Sequence, residues 1–247
     1  MRLSKEEKVQ LKVFKLQEKK DFIIYLNEII ARTYKCLHRY KEYLHEMDEY
    51  IKEHKKEGKE KIYIDNNDYG KFQDCISNID GYIVNLIGDT QKESISYINF
   101  RTIIKKRKNK GSLGFEIKDL DKEVEEMILH ITKTRNWINH VPQSLLCSEE
   151  KLRDEGKINF RDISPIIIYM FEECELELLE DLYNQSEENY GYIKKIFSHI
   201  KKDYSNLIGE SVRIFTKYEK YPNSTRRATG TKLSAHVQGL IEEVDKK

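Results

Sequence analysis

From Asp21 to His54 the chain reads "DFIIYLNEIIARTYKCLHRYKEYLHEMDEYIKEH", with no glycine and no proline. Its apolar residues fall at Phe22, Leu26, Ile29, Ile30, Tyr34, Leu37, Tyr40, Leu44 and Met47. Steps of three and four gather such residues on one stripe of an α-helix. A strand, whose faces alternate at every residue, cannot collect them. A helix this long needs partners for its stripe, because packing rather than propensity holds helices together in water. The rest of the chain can supply them. Only three prolines occur in 247 residues, so few positions forbid a helix.

Further stripes follow. Phe72, Ile76, Ile79, Ile83 and Leu86 predict a second helix that closes at Gly88. Before it, "KIYIDNNDYG" alternates briefly and reads as a short extended arm. A third short helix is expected over 91–105, then a basic, glycine-containing loop, "KKRKNKGSLG", over 105–114. Leu120, Val124, Met127, Ile131, Thr134 and Ile138 predict a fourth helix from near Asp119. Ser164 and Pro165 make a good helix start, a capping serine followed by proline at the first helical position. The segment it opens, "IIIYMFEECELELLEDLY", is the most apolar in the chain and is expected to be the central helix. Another is expected from about Glu188, with Ile193, Ile196, Phe197, Ile200, Tyr204, Leu207 and Ile208 on one face.

A polar loop, "YPNSTRRATGTK", then precedes a last short helix from near Ser234. The lysine-rich first twenty residues read as a frayed helical start, and Gly58 as the end of the first helix. The sum is an all-α bundle of about six to eight helices. Its expected parts are a long N-terminal helix (1–60) that flanks the bundle, the bundle proper (61–220), and a loop with a short docking helix (221–247).

Charge excludes one class of function. Lys and Arg number 44 against 43 Asp and Glu, a net charge of +1, so the whole chain is not a polycation. Contact with nucleic acid must come from a local patch. "KKRKNK" offers one: Lys105, Lys106, Arg107, Lys108 and Lys110 form a candidate grip on an RNA backbone. The plainer alternative is a solvated loop. Cys36, Cys75, Cys147 and Cys174 lie far apart, with no C-x-x-C pair to suggest zinc or redox work. In "EECELELLED" the glutamates alternate with leucine and no Glu-x-x-His accompanies them, so a carboxylate-bridged metal site is not expected. The opening "MRLSKEEKVQ" has no apolar signal core, and "PIIIYMF" is too short to span a bilayer. The expectation is a reduced, soluble, cytoplasmic protein with no membrane partner. Most of the sixteen tyrosines, such as Tyr34, Tyr40 and Tyr204, sit at core spacing, so packing explains them before base stacking does.

One short string concentrates polar chemistry: "RNWINH", Arg135 to His140, at the end of the fourth stripe. On a helical wheel Arg135 falls about 40° from Ile131 and His140 about 180° from it. Arg135 therefore lies beside the core face, where an unpaired charge is costly and a partner is required. His140 points away. A straight single helix does not aim both at one point, so a break near Pro142 or a second subunit is needed to bring them together. Bare Arg-to-His spacing is weak evidence, since Arg32 to His38 and Arg39 to His45 have nearly the same separation. The asparagines Asn136 and Asn139, directly after Arg135 and before His140, make this copy richer.

With Arg, then Asn, then four to six positions to His, "RNWINH" resembles the motif of the HEPN superfamily; "RTYKCLH" and "RYKEYLH" share the spacing but lack the Asn. The resemblance implies a helical bundle that dimerises and brings two motif copies into one cleft. It implies a metal-independent, cofactor-free ribonuclease of the kind found in toxin–antitoxin, abortive-infection and CRISPR-associated systems, with RNA and an antitoxin or defence protein as partners. In that reading His140 is the acid/base, Arg135 the phosphate clamp and Asn136 a positioning group, with Asn139 a further substrate contact. Other members of the superfamily are non-catalytic and serve as dimerisation or partner-binding modules, and that alternative stays open.

Overall fold

The computed structural model describes residues 14–55, 61–139, 143–156 and 170–216. These residues form helices α1 (Lys19–His54), α2 (Asn66–Gly88), α3 (Tyr97–Asn109), α4 (Lys122–Asn139), α5 (Gln143–Asp154) and α6 (Leu176–Ile208). One small antiparallel ladder joins β1 (Tyr63–Asp65) to β2 (Glu173–Glu175). The protein is an all-α bundle. The chain divides after Val212 into two units. Of the second, residues 213–216 are described and have no regular structure.

α1 buries the stripe that its spacing requires: Phe22, Leu26, Ile29, Leu37, Tyr40, Leu44 and Met47 are all buried. Its first turn is fixed by Asp21, whose carboxylate accepts the backbone N–H groups of Gln17 and Glu18 at 2.9 and 2.8 Å. α6 is the main partner of α1, and α2 packs against both α1 and α4. From α6 come Leu179, Ile193, Ile196, Phe197, Ile200 and Leu207; from α2 come Ile76, Ile79, Ile83 and Ile87. Each fully buried aliphatic side chain here contributes roughly 1.5–3 kcal/mol. α6 stops at Gly209, whose φ of 81° is the left-handed conformation that closes many helices.

Several expected elements change. Residues 14–17 are not helical, and Leu16 is tucked into the core rather than frayed. The basic run 105–109 is not a loop but the last turns of α3, which starts late because Ser96 caps it by accepting the N–H of Asn99. Cations in a final helical turn oppose the negative end of the helix dipole, so this placement is favourable. α5 has no counterpart among the expected helices. Its Leu146 and Leu152 are exposed.

The expected central helix also changes. Ser164 and Pro165 lie outside the described residues. Met170 and Phe171 are exposed, 173–175 is a strand, and the helix begins only at Leu176. It then runs unbroken through Glu188, so two expected helices are one. The alternation of "ECELEL" is a period-two signal, and it fits the extended arm at 63–65 that pairs with it. Asp65 ends that arm and caps α2, accepting the N–H of Asn67 at 2.7 Å. The helix expected near Ser234 and the loop before it lie outside the described residues. No described helix is long and apolar enough to cross a membrane.

Candidate active site

α4 carries "RNWINH" at its C-terminal end. Val124, Met127 and Ile128 are buried and Ile131 is half-buried, so the stripe turns toward the core. One turn on, Arg135 continues that stripe and is only 9% exposed. Asn136 and Asn139 belong to the last turns of α4, but their side chains lie outside the described residues, as does His140.

A buried guanidinium needs hydrogen-bond acceptors and a countercharge. α2 provides both. Arg135 Nε donates to Asn85 Oδ1 at 3.1 Å, and Arg135 Nη2 meets Asp89 Oδ1 at 2.9 Å. Asn85 and Asp89 are four residues apart, so both face α4 from the final turn of α2. Asp89 is the C-cap residue of α2 and is itself buried. An acidic group is unfavourable at a helix C-terminus, and Arg135 offsets that cost. The Asp89 carboxylate also accepts the N–H of Gln91 at 3.0 Å. Its backbone carbonyl accepts the hydroxyl of buried Ser96, whose N–H donates to the Tyr25 hydroxyl at 2.9 Å.

The approach of the two helices rests on a glycine. A Cβ at Gly88 would lie 3.0 Å from Thr132 Cα and 3.1 Å from Thr132 N. Both are backbone atoms of α4, so any larger side chain forces α2 and α4 apart. Asn85 and Asp89 also line a shallow cleft of about 290 Å³, together with Arg32, Tyr82, Leu86 and Ser94. Arg32 is held there by Glu28 at 2.6 Å and the Tyr82 hydroxyl at 2.7 Å.

The basic run sits elsewhere. Arg107 points inward: its guanidinium donates to the carbonyl oxygens of Leu16 and Gln17 and lies 5.3 Å from the centre of the Phe22 ring. Lys108 pairs with Asp119 at 2.7 Å and Lys105 with Glu125 at 3.8 Å. Lys106 and Lys110 are exposed. Lys105, Lys108 and Arg101 border a groove of about 490 Å³ between α3 and α4, with Ile98, Leu120 and Leu129 on its walls. Glu125 and Arg135 are ten positions apart on α4, about 15 Å along its axis. The structure thus separates the lysines from the arginine.

Two further polar clusters lie in the helix interfaces. Asp203 of α6 accepts the Tyr97 hydroxyl at 2.7 Å and faces Arg101 at 3.2 Å. Burial pushes its carboxyl up to about 6, against the pull of Arg101. Burial likewise raises Asp80 to about 6, beside the Tyr40 hydroxyl. On the outer face of α1, His45, Asp48 and Glu49 gather at helical spacing, and Lys52 already pairs with both carboxylates.

The sequence names Gly88 only as the close of the second helix and does not single out Asn85 or Asp89. The available signal was the string "NLIGD" closing the second stripe, a glycine on a core face followed by an acid. Comparisons with protein-family models, curated proteins and solved structures gave no match.

Proposed function

We propose that this chain is a metal-independent endoribonuclease of the HEPN type, serving as a toxin or in phage defence and working as a homodimer. The observation that carries the reading is Arg135. It stands at the end of an amphipathic helix inside an all-α bundle, directly before Asn136, and two side chains of α2 fix its guanidinium in place. A rigid planar cation of that kind suits a phosphate whose charge grows during reaction.

RNA carries its own nucleophile, the 2′-hydroxyl. In this mechanism His140 takes the 2′-hydroxyl proton as the 2′-oxygen attacks phosphorus. The bond from phosphorus to the 5′-oxygen breaks, and that oxygen leaves with a proton delivered by a histidine. The products are a 2′,3′-cyclic phosphate and a 5′-hydroxyl. Arg135 holds the phosphate oxygens, Asn136 orients the reacting groups, and Asn139 contacts the RNA. Lys105, Lys106, Lys108 and Lys110 supply a salt-sensitive contact along the backbone.

The burial of Arg135 also favours a second reading, a non-catalytic module that binds a protein or RNA partner. A guanidinium already neutralised by Asp89 holds the bundle together without any substrate.

The deciding experiment is cleavage of total RNA in EDTA by the wild type, His140→Ala and Asn136→Ala, with product ends identified chemically and oligomeric state measured by light scattering. The expected result is a cyclic-phosphate product and a loss of about a hundredfold or more for His140→Ala. Equal cleavage by the wild type and His140→Ala overturns the proposal in favour of the binding module.

A further inference from the structure

We infer that Asp89 and Asn85 are positioning residues of the site, acting through Arg135, and that Gly88 sets the helix approach they depend on; this rests on the ribonuclease reading above. Neither residue belongs to the "RNWINH" string, and neither is assigned a contact with substrate.

Three observations carry the inference. First, the two acceptors engage different nitrogens of one guanidinium, Nε at 3.1 Å and Nη2 at 2.9 Å. A guanidinium is planar, so contact at two of its nitrogens fixes both its position and the orientation of its plane. A single salt bridge would leave it free to swivel.

Second, Asp89 is not a mobile surface acid. It is 6% exposed, its carboxylate is tied to the Gln91 N–H, and its N–H continues α2 by donating to the Asn85 carbonyl at 3.2 Å. Its own carbonyl is held by Ser96, the cap of α3, and Ser96 by Tyr25 of α1. The guanidinium is thereby referenced to four helices. Such support is what separates a group placed within a fraction of an ångström from one merely nearby.

Third, α2 and α4 approach closely at Gly88, which is buried. A Cβ there would meet α4 backbone at Thr132, one turn before Arg135. The missing side chain is what lets the short side chains of Asn85 and Asp89 reach across to Arg135.

The test compares Asp89→Asn, Asn85→Ala and the exchange Asn85→Asp with Asp89→Asn, beside wild type and His140→Ala. Steady-state RNA cleavage is measured well below each variant's melting temperature. Asp89→Asn is expected to lower kcat about a hundredfold with KM nearly unchanged, the signature of a misplaced group rather than a lost binding contact. The exchange, which returns the carboxylate to the other acceptor position, is expected to recover about tenfold of that loss. A purely structural role would shift the melting temperature and leave kcat alone. If Asp89→Asn does not fold, Asn85→Ala, which removes one neutral acceptor, is expected to cost about tenfold in kcat. Wild-type kcat in a folded Asp89→Asn or Asn85→Ala, with His140→Ala inactive, overturns this inference and leaves the ribonuclease reading standing. If the wild type and His140→Ala cleave alike, the ribonuclease reading fails and the inference falls with it.

Discussion

Replacing Asp80 with asparagine should make the protein more stable at neutral pH. Asp80 lies on α2 at the interface with α1, near the Tyr40 hydroxyl, and burial raises its carboxyl from 3.8 to about 6. The folded protein therefore holds the Asp80 proton more tightly than the unfolded chain does. Between the unfolded value near 4 and the folded value near 6, the native state binds more protons, so stability falls as pH rises. Above pH 6 the full cost is present. A shift of this size, at 1.36 kcal/mol per pKa unit, is on the order of 2–3 kcal/mol. Asparagine is nearly isosteric and cannot ionise, so it escapes that cost. Urea unfolding at pH 7.5 should show Asp80→Asn more stable than wild type by about 2 kcal/mol. At pH 4 the difference should shrink toward zero. Asp203 titrates over the same window, but it is present in both proteins and cancels in the comparison. A variant less stable than wild type at pH 7.5, or a gain of the same size at both pH values, refutes the reasoning.

Gly88→Ala should lower stability by about 1–3 kcal/mol, because the added Cβ meets α4 backbone rather than a flexible side-chain end; a thermal melt reads it directly. Thr33→Val should raise stability by about 1 kcal/mol, since the buried Thr33 hydroxyl has no hydrogen-bond partner among the described residues and valine keeps its shape; equilibrium unfolding checks the sign. Arg107→Met should free residues 14–18, whose carbonyls at Leu16 and Gln17 lose their donor; hydrogen exchange there should rise while exchange in the middle of α6 stays slow.

How far the sequence could be read depended on period. The stripes of α1 and α2 are long and regular, and both helices lie where spacing puts them, α2 ending at Gly88 as expected. α4 also follows its stripe, and the wheel position of Arg135 beside the core correctly demanded a buried partner. The partner's identity was not legible, because Asp89 lies forty-six positions upstream and only the packing of α2 on α4 joins them. The reading failed where local signals competed. "KKRKNKGSLG" reads as a loop by its charge and glycines, yet its first half continues α3, since lysine is a good helix former and suits a helix C-terminus. "IIIYMFEECELELLEDLY" reads as one buried helix by hydropathy, yet its middle becomes a strand, a choice made by the distant arm at 63–65. Apolar density does not tell a strand from a helix over so short a run. α5 is hard to read because its apolar residues are few, with only Leu145, Leu146, Cys147 and Leu152 between Gln143 and Asp154.

The pairing of α1 with α6 has a consequence for how the molecule is made. α1 is synthesised well before α6, the helix that covers much of its apolar stripe and ends only at Ile208. On the ribosome the part of that stripe that α6 covers stays exposed while more than a hundred residues are added. The ladder between 63–65 and 173–175 closes over a similar span. Contacts this distant form slowly, and exposed stripes invite misassembly in the meantime. The bundle therefore completes its core only once α6 is made. A nascent chain halted before α6 would be a substrate for chaperones and proteases, not a partly working protein.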